Sequence, residues 1–217
     1  ANHIAQLYNN IGLEAKGLSF ETFQKAMIGY FNMYGELKSK EIISIVDFDK
    51  SSTVERLYVI DINAEKVLFH SLVAHGKNTG FDMAENFSNT PSSLQSSLGF
   101  YLTAETYIGH FGYALRLDGM EKGFNDNARA RGIVMHGADY VNKQIIASQK
   151  RLGRSYGCPA LPYSIHKDVI TTIKGGSLFY IHKNQPTYQT GTKMLDETVA
   201  RKTFETAFQT SEAVAKR

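Results

Sequence analysis

The spacing of apolar residues predicts two helices at the start of the chain. Apolar side chains recur there at intervals of three and four residues and first stop at Gly12. A second periodic stretch follows Ser19, whose side chain can cap a helix N-terminus. Its apolar stripe consists of Phe20, Phe23, Met27, Tyr30, Phe31 and Tyr34. Such a stripe is typical of a packing surface, so we expect it to face the core rather than a ligand.

After residue 40 the pattern changes to short runs rich in β-branched residues. The first covers 42–48, and two more, 56–62 and 67–74, flank a polar turn and predict a hairpin. Further runs at 98–103, 113–117, 133–135 and 177–182 predict strands, with glycines marking several turns. Many short strands at this spacing favour a mainly β fold, either a β-sandwich or a mixed barrel.

Helical periodicity returns towards the end of the chain. The segment 164–174 predicts a helix that is capped by Ser164 and ended by Gly175. Residues 184–193 contain Pro186 and Gly191 and predict a linker. Beyond them an amphipathic helix is predicted by Leu195, Val199, Phe204, Phe208 and Val214. We therefore divide the chain into a helical extension (1–40), a β-rich domain (41–183) and a linker with a C-terminal helix (184–217).

One segment inside the β-rich part carries no periodic pattern. Residues 81–97 are rich in Asn, Ser and Thr, which indicates a loop. Loops of this length are uncommon in compact domains unless they serve a function. We predict that this loop borders a substrate groove.

Composition narrows the classes of function. With 217 residues, of which 42% are hydrophobic and 21% charged, the chain has the profile of a globular protein. The formal net charge of +3 is too small to indicate a nucleic-acid partner. No apolar run approaches the ~20 residues that cross a bilayer. The first residues, Ala1-Asn2-His3, do not resemble a signal peptide.

Two stretches that could bind a nucleotide or a metal lack the residue spacing that such a site needs. The glycine-containing stretch 76–80 lacks the spacing of a phosphate-binding loop. His70 and His75 fall on opposite faces of a regular strand, which makes them poor joint metal ligands. The sequence therefore predicts no cofactor and no metal.

The strongest chemical signal is the single cysteine, Cys158, together with His136. A free thiol with a pKa of ~8.5 is only a few per cent ionised at neutral pH, so a nucleophilic cysteine needs a base. His136 can supply that base if the fold brings the two together. We predict an accessible thiol whose thiolate is stabilised by His136. The alternative is a buried, inert thiol that packs as a small hydrophobe.

Glycine and serine beside the thiol favour the catalytic interpretation. Gly157 allows a sharp backbone turn that can aim main-chain N–H groups at a reacting carbonyl. Ser155 can hold this turn by bonding backbone groups.

The pattern of His136-Gly137 followed by Ser155-x-Gly157-Cys158 resembles the signature of the murein L,D-transpeptidases, the YkuD-like cysteine acyltransferases of bacterial cell walls. Tyr156 stands where that family more often has His or Arg. Flanking motifs at 96–99, 115–117, 123–129 and 159–162 resemble a Gram-negative branch of the family, and the likeness covers roughly 54–183. The resemblance implies an α+β, mainly β fold of the L,D-transpeptidase type with helices added at both ends. It also implies that the carbonyl of Gly137 orients His136.

The resemblance further implies a substrate and a reaction. Cys158 would attack an L,D amide bond in a peptidoglycan stem tetrapeptide, release the terminal D-Ala and pass the acyl group to an amine. With water as acceptor the protein would be a carboxypeptidase or endopeptidase, and a non-catalytic wall-binding module is an alternative from another class. Carbapenems are implied as inhibitors that acylate the thiol. The expected location is the periplasm or cell envelope, after removal of a signal peptide.

Arginines are the candidates for holding the carboxylates of such a peptide, because a guanidinium can bind a carboxylate at two points. Arg154 is nearest in sequence to Cys158, and Arg131, Arg129 and Arg116 are further candidates. Each is equally suited to a structural ion pair. Tyr156 is expected either to line the pocket or to pack against neighbouring residues.

Overall fold

The computed structural model describes residues 2–215, with side chains described for residues 3–207. Its helices are α1 (Asn2–Ile11), α2 (Phe20–Asn32), α3 (Lys143–Gln149), α4 (His166–Ile173), α5 (Pro186–Gly191) and α6 (Glu197–Ala215). Its strands are β1 (Ile42–Asp47), β2 (Leu57–Asp61), β3 (Lys66–Ser71), β4 (Gly99–Gly109), β5 (Gly112–Gly119), β6 (Val134–Gly137), β7 (Ala160–Leu161) and β8 (Leu178–His182). None of the helices in this part of the chain is long and apolar enough to cross a membrane.

All eight strands form one mixed sheet in the order β3-β2-β1-β8-β4-β5-β6-β7. The β1–β8 and β6–β7 pairs are parallel, and the other neighbours are antiparallel. The segment that follows β3 reaches the opposite edge of the sheet, at β7. There Ala74 forms a β-bridge with Ala160, and Gly76 forms one with Ser155. These bridges nearly close the sheet into a barrel. The predicted mainly β fold with added helices is confirmed.

The central strands β1 and β8 are buried along their whole length, which fits their almost entirely apolar sequences. Helices α2 and α4 pack on the sheet. Gly29 permits the close approach of α2, because a Cβ at this position would lie 2.0 Å from the Phe100 ring. Helix α6 packs on α2, where Phe31 meets Phe204 edge to face. The side chains of Phe208 and Val214, also predicted for the apolar face of this helix, lie outside the described residues.

The N-cap of α2 was predicted correctly, because the Ser19 side chain accepts a hydrogen bond from the Thr22 N–H. The predicted cap of α4 was wrong. That helix begins at His166 after Ile165, which makes no side-chain cap, and Ser164 lies in the preceding turn. The first turn is instead closed by the N–H of His166, which donates to the Pro162 carbonyl.

The segment predicted as a linker, 184–193, contains helix α5. Pro186 occupies the first turn, where a missing N–H costs nothing. Tyr188 is buried and donates a hydrogen bond of 2.9 Å to the Glu121 carboxylate, which also accepts from Thr192. This contact anchors the segment to the sheet domain. The three-part division of the chain stays a prediction.

Candidate active site

His136 lies near the end of β6 and is almost completely buried. Its Nδ1 is 2.9 Å from the Gly137 carbonyl oxygen, which is the contact expected from the sequence. Because a carbonyl can only accept, Nδ1 carries the proton and Nε2 is the free acceptor. Burial, and to a smaller extent the nearby His166, lower the pKa of His136 below its usual 6.5. The imidazole is therefore neutral near pH 7 and can act as a base.

Cys158 is placed beside His136 by the parallel pairing of β6 and β7. His136 pairs with Ala160, so Cys158, two residues before Ala160, lies level with Val134. The Val134 N–H points at the sulfur, with N and Sγ 3.4 Å apart. The Cys158 Sγ is also 3.7 Å from the Gly132 carbonyl oxygen. Cys158 thus lies in the segment just before β7, two residues along the strand direction from the partner of His136.

The described residues show no hydrogen bond between the thiol and the imidazole. Burial raises the pKa of the Cys158 thiol, while the Val134 N–H and the Arg131 guanidinium partly offset that rise. The sequence-based expectation of a thiolate stabilised by His136 stays a prediction, and in this arrangement the sulfur contacts the Val134 N–H and the Gly132 carbonyl.

This arrangement makes a prediction about pH. We expect alkylation of Cys158 by iodoacetamide to be slow at neutral pH and to rise through a midpoint above the ~8.5 of a free cysteine. The midpoint should barely move in His136→Ala, because the sulfur contacts backbone groups instead of the ring. Alkylation rates measured from about pH 6 to about pH 10 check this. A midpoint below ~8.5 that rises in the variant would instead indicate a resting thiolate–imidazolium pair.

The turn before the thiol is held by Ser155. Its Oγ donates to the Cys158 carbonyl oxygen at 2.6 Å and accepts from the Gly157 N–H at 3.1 Å. The predicted loop-holding contact of Ser155 is present. The Gly157 N–H itself is occupied by Ser155, and the prediction that this turn aims main-chain N–H groups at a reacting carbonyl stays a prediction. Within the described residues the N–H groups of Tyr156 and Cys158 donate no hydrogen bond and are the available donors.

Gly157 is required at its position for two reasons. Its φ of +125° lies in a region that residues with a side chain rarely adopt. A Cβ there would also lie 2.7 Å from the carbonyl oxygen of Gln95. The long loop therefore packs directly against the backbone next to Cys158.

Ser96 was not predicted as a site residue, although it lies in a motif that contributed to the family resemblance. It is buried, and its Oγ donates to the Gly157 carbonyl oxygen at 3.2 Å while accepting from the Gly76 N–H at 3.0 Å. This hydroxyl therefore fastens the turn that carries Cys158 to the strand-like segment after β3. The sequence alone could not show that three separate segments meet at one serine.

Arg131 is half-buried and serves the long loop 81–97. Its Nη1 donates to the Ser88 carbonyl and the Ser97 hydroxyl, and its Nη2 donates to the Gln95 carbonyl and the Ser93 hydroxyl, at 2.6–3.1 Å. The loop predicted as a groove border is thus tied down beside Cys158. These bonds occupy much of the guanidinium, and a contact of Arg131 with substrate stays a prediction.

The other arginines fall into two groups. Arg129 forms ion pairs with Glu105 and Asp118, and Arg116 pairs with Glu105, so both belong to a structural cluster. Arg154 donates from Nη1 to the carbonyl oxygens of Lys77 and Gly80 at 3.0 and 2.9 Å. Unlike the first two, it is not paired with a carboxylate within the described residues.

Aromatic side chains surround the site. Tyr156 is 71% exposed, so it does not pack in the interior. Phe111, in the two-residue turn between β4 and β5, stacks on His136 with ring centroids 4.2 Å apart and an interplanar angle of 18°. This contact, which contributes to the burial of the imidazole, was not predicted because β4 extends further than its apolar run indicates.

One cluster has the residue types of a metal site. Ligand atoms of Asp47, Asp49 and His182 all lie within 4.8 Å of one another. Their atoms already bond to each other and to their neighbours: the His182 Nε2 is 3.2 Å from Asp49 Oδ2, and its Nδ1 is 2.9 Å from the Tyr180 hydroxyl. Asp49 also meets the Lys183 ammonium at 3.3 Å. We interpret the cluster as a polar connection between β1 and β8.

The fold and the site together define a nearly closed β-barrel in which a histidine lies on β6 and a cysteine lies just before the neighbouring strand β7. The sequence model of the L,D-transpeptidase catalytic domain family, designated YkuD_2, matches residues 14–182. The chain therefore belongs to the L,D-transpeptidase catalytic domain family. No curated protein sequence matches it.

Several solved structures are similar to this chain at low identity. An L,D-transpeptidase from Mycobacterium smegmatis is 15% identical, with a TM-score of 0.41, over 66% of this chain and 59% of that protein. The helical cell shape determining protein Pgp2 from Campylobacter jejuni is 13% identical, with a TM-score of 0.44, over 81% and 61%. The LD transpeptidase LdtMt1, solved in complex with imipenem, is 12% identical, with a TM-score of 0.41, over 65% and 59%. The matched region spans about three fifths of each of these proteins.

Proposed function

We propose that this protein is a peptidoglycan L,D-transpeptidase that forms a thioester on Cys158 and transfers the acyl group to an amine. The observation that carries the proposal is the β6–β7 register, which sets the thiol beside an imidazole whose Nε2 is free to accept a proton. The family membership supports the same reaction. The acyl donor is a stem tetrapeptide. The protein is exported and acts in the periplasm or cell envelope.

The first half of the proposed reaction forms the thioester. The S–H proton of Cys158 moves to the Nε2 of His136 as the sulfur attacks the carbonyl carbon before the terminal D-Ala. The N–H groups of Tyr156 and Cys158 donate to the oxyanion that develops. The C–N bond then breaks, and the imidazolium gives its proton to the departing amine of D-Ala. Gly137 keeps the ring oriented through its carbonyl.

The second half transfers the acyl group. A neutral acceptor amine attacks the thioester carbonyl, and His136 takes the proton that the new amide nitrogen loses. The C–S bond breaks, and the proton returns to the sulfur, which restores the resting thiol. Burial of His136 favours its neutral form, which both halves require as the proton acceptor.

The test is incubation of the purified protein with a stem tetrapeptide donor and an amine acceptor, followed by mass spectrometry of the products. We expect release of D-Ala and a cross-linked product whose amount depends on the amine. Shortened tripeptides that form at the same rate whatever amine is added would establish the hydrolase alternative. Binding without any change of the peptide would indicate a wall-binding module. Cys158→Ala is the control in each case.

Carbapenems are proposed as covalent inhibitors of the same thiol. Their strained ring presents an activated carbonyl to the nucleophile that attacks the tetrapeptide. The partially exposed position of Cys158 is compatible with such an attack.

A further inference from the structure

Two arginines next to the nucleophile segment share one exposed aromatic ring. The guanidinium carbons of Arg151 and Arg154 lie 4.7 and 5.5 Å from the ring centroid of Phe81. The Phe81 side chain is 64% exposed, so the ring is not held there by burial in the core. Stacking on a ring orients a guanidinium and leaves its N–H edge available to a ligand.

Neither arginine forms an ion pair within the described residues. Arg151 donates from Nη1 to the Leu152 carbonyl at 2.7 Å, and its Nε is buried with no hydrogen-bond partner. Arg154 bonds only carbonyl oxygens. Asp82, the carboxylate next to Phe81 in the chain, is engaged by the hydroxyls of Ser51 and Ser52. The two positive charges are therefore close together, and no carboxylate of the described residues is paired with them.

This arrangement costs free energy in the unbound protein. Burial lowers the pKa of Arg154, and repulsion from Arg151 lowers it further. A ligand carboxylate would relieve the repulsion and complete the hydrogen bonds, since guanidinium–carboxylate contacts are short, charge-assisted and often bidentate. The arginines of the structural cluster contrast with this pair, because Arg116 and Arg129 already have carboxylate partners.

The position of the pair fits a peptide that is cleaved at Cys158. Arg154 directly precedes Ser155, and it is four residues from Cys158. Four residues of extended chain reach at most about 13–14 Å, which is also the reach of an extended tetrapeptide. A donor whose terminal amide lies at the sulfur can therefore place another part of its chain at the arginines.

We propose that Arg151 and Arg154, stacked on Phe81, bind a carboxylate of the donor stem peptide away from the bond that is cleaved. This inference rests on the proposed function and names a specificity site for it. The site selects donors whose side carboxylates are free over donors in which they are amidated.

The test measures binding separately from turnover. Calorimetry on the Cys158→Ala protein compares a stem tetrapeptide with free side carboxylates and the same peptide with those groups amidated. We expect the free-acid peptide to bind about 10- to 100-fold more tightly. Arg151→Gln should remove most of that preference, and the Arg151→Gln/Arg154→Gln double variant should remove all of it. Binding of the amidated peptide should stay unchanged, and added salt should reduce the preference.

Arg201→Gln is the matched control, since it removes one exposed charge from α6, far along the chain from this loop. The Arg151→Gln single variant controls for misfolding of the double variant. The Nη1 of Arg151 donates only to the carbonyl of the neighbouring Leu152, so this substitution removes no hydrogen bond to a distant segment. In the Cys158-containing protein the same substitution should raise KM for the free-acid peptide and leave kcat unchanged. Equal binding of both peptides to the unsubstituted and substituted proteins would overturn the site. Absence of D-Ala release by the Cys158-containing protein would instead overturn the proposed function, whichever peptide binds.

Discussion

Replacement of His136 by alanine is expected to lower turnover of a stem tetrapeptide by ~10²–10⁴-fold, the usual cost of removing a general base. The reason is geometric: the Nε2 of His136 is the acceptor on the strand next to Cys158, while Nδ1 is bonded to the Gly137 carbonyl. Burial raises the pKa of the Cys158 thiol, so less thiolate forms without a base. Steady-state release of D-Ala near neutral pH measures the effect.

His70→Ala is the control for this experiment. His70 is also carried by a strand, but it contacts Glu55 and stacks on Tyr58 rather than on the nucleophile segment. We expect the control to keep its turnover, and both variants to keep the circular dichroism spectrum of the parent. A His136→Ala protein that turns over tetrapeptide at the parental rate would show that another group takes the thiol proton.

Gly157→Ala is expected to reduce turnover by about 10²-fold, the cost of misplacing a reacting group by about 1 Å. A methyl group at this position meets the Gln95 carbonyl oxygen and must adopt an unfavourable φ. The backbone can escape only by moving the turn that carries Cys158. Strain at such a position costs about 1–3 kcal/mol, so a lower melting temperature is expected as well.

The matched control is Gly12→Ala. Gly12 also has a positive φ, +71°, but a Cβ there meets nothing within 4 Å. It therefore carries the backbone strain without the collision, and it should lose stability but keep turnover. If Gly157→Ala lost stability to the same extent and kept full turnover, the Gln95 contact would have no role in placing the thiol.

The sequence was most informative where one periodic pattern dominated. The β-rich order, the Ser19 cap and the placing of His136 at a strand end all follow from local patterns, because each depends on residues close together in the chain. Glycines between the predicted strands likewise indicated the positions of turns. The family resemblance then linked His136 to Cys158, which no local pattern could do.

The missed features depend on contacts between distant segments. The segment around Tyr188 looked like a linker because its anchor, Glu121, is far away in the sequence. The sequence left Arg131 open between a substrate ligand and a structural role, because the carbonyl and hydroxyl oxygens that it contacts come from the distant loop 81–97. The sequence also could not show that the Val134 backbone N–H contacts the thiol, because nearly every residue type supplies the same backbone donor.

The loop 81–97 shows both a feature that a local pattern predicts and contacts that it does not. Its polar composition correctly predicted an irregular segment, yet Ser96 and Ser97 are buried and hold the nucleophile turn and Arg131. The loop is therefore part of the support for Cys158. Its contact with substrate remains a prediction.

The most direct test of the central claim, that Cys158 is the nucleophile, is the intact mass of the protein after incubation with imipenem. The account predicts a single covalent adduct of the mass of the drug, located on the peptide that contains Cys158 and lost in Cys158→Ala. An unchanged mass, or an adduct that persists in Cys158→Ala, would contradict it.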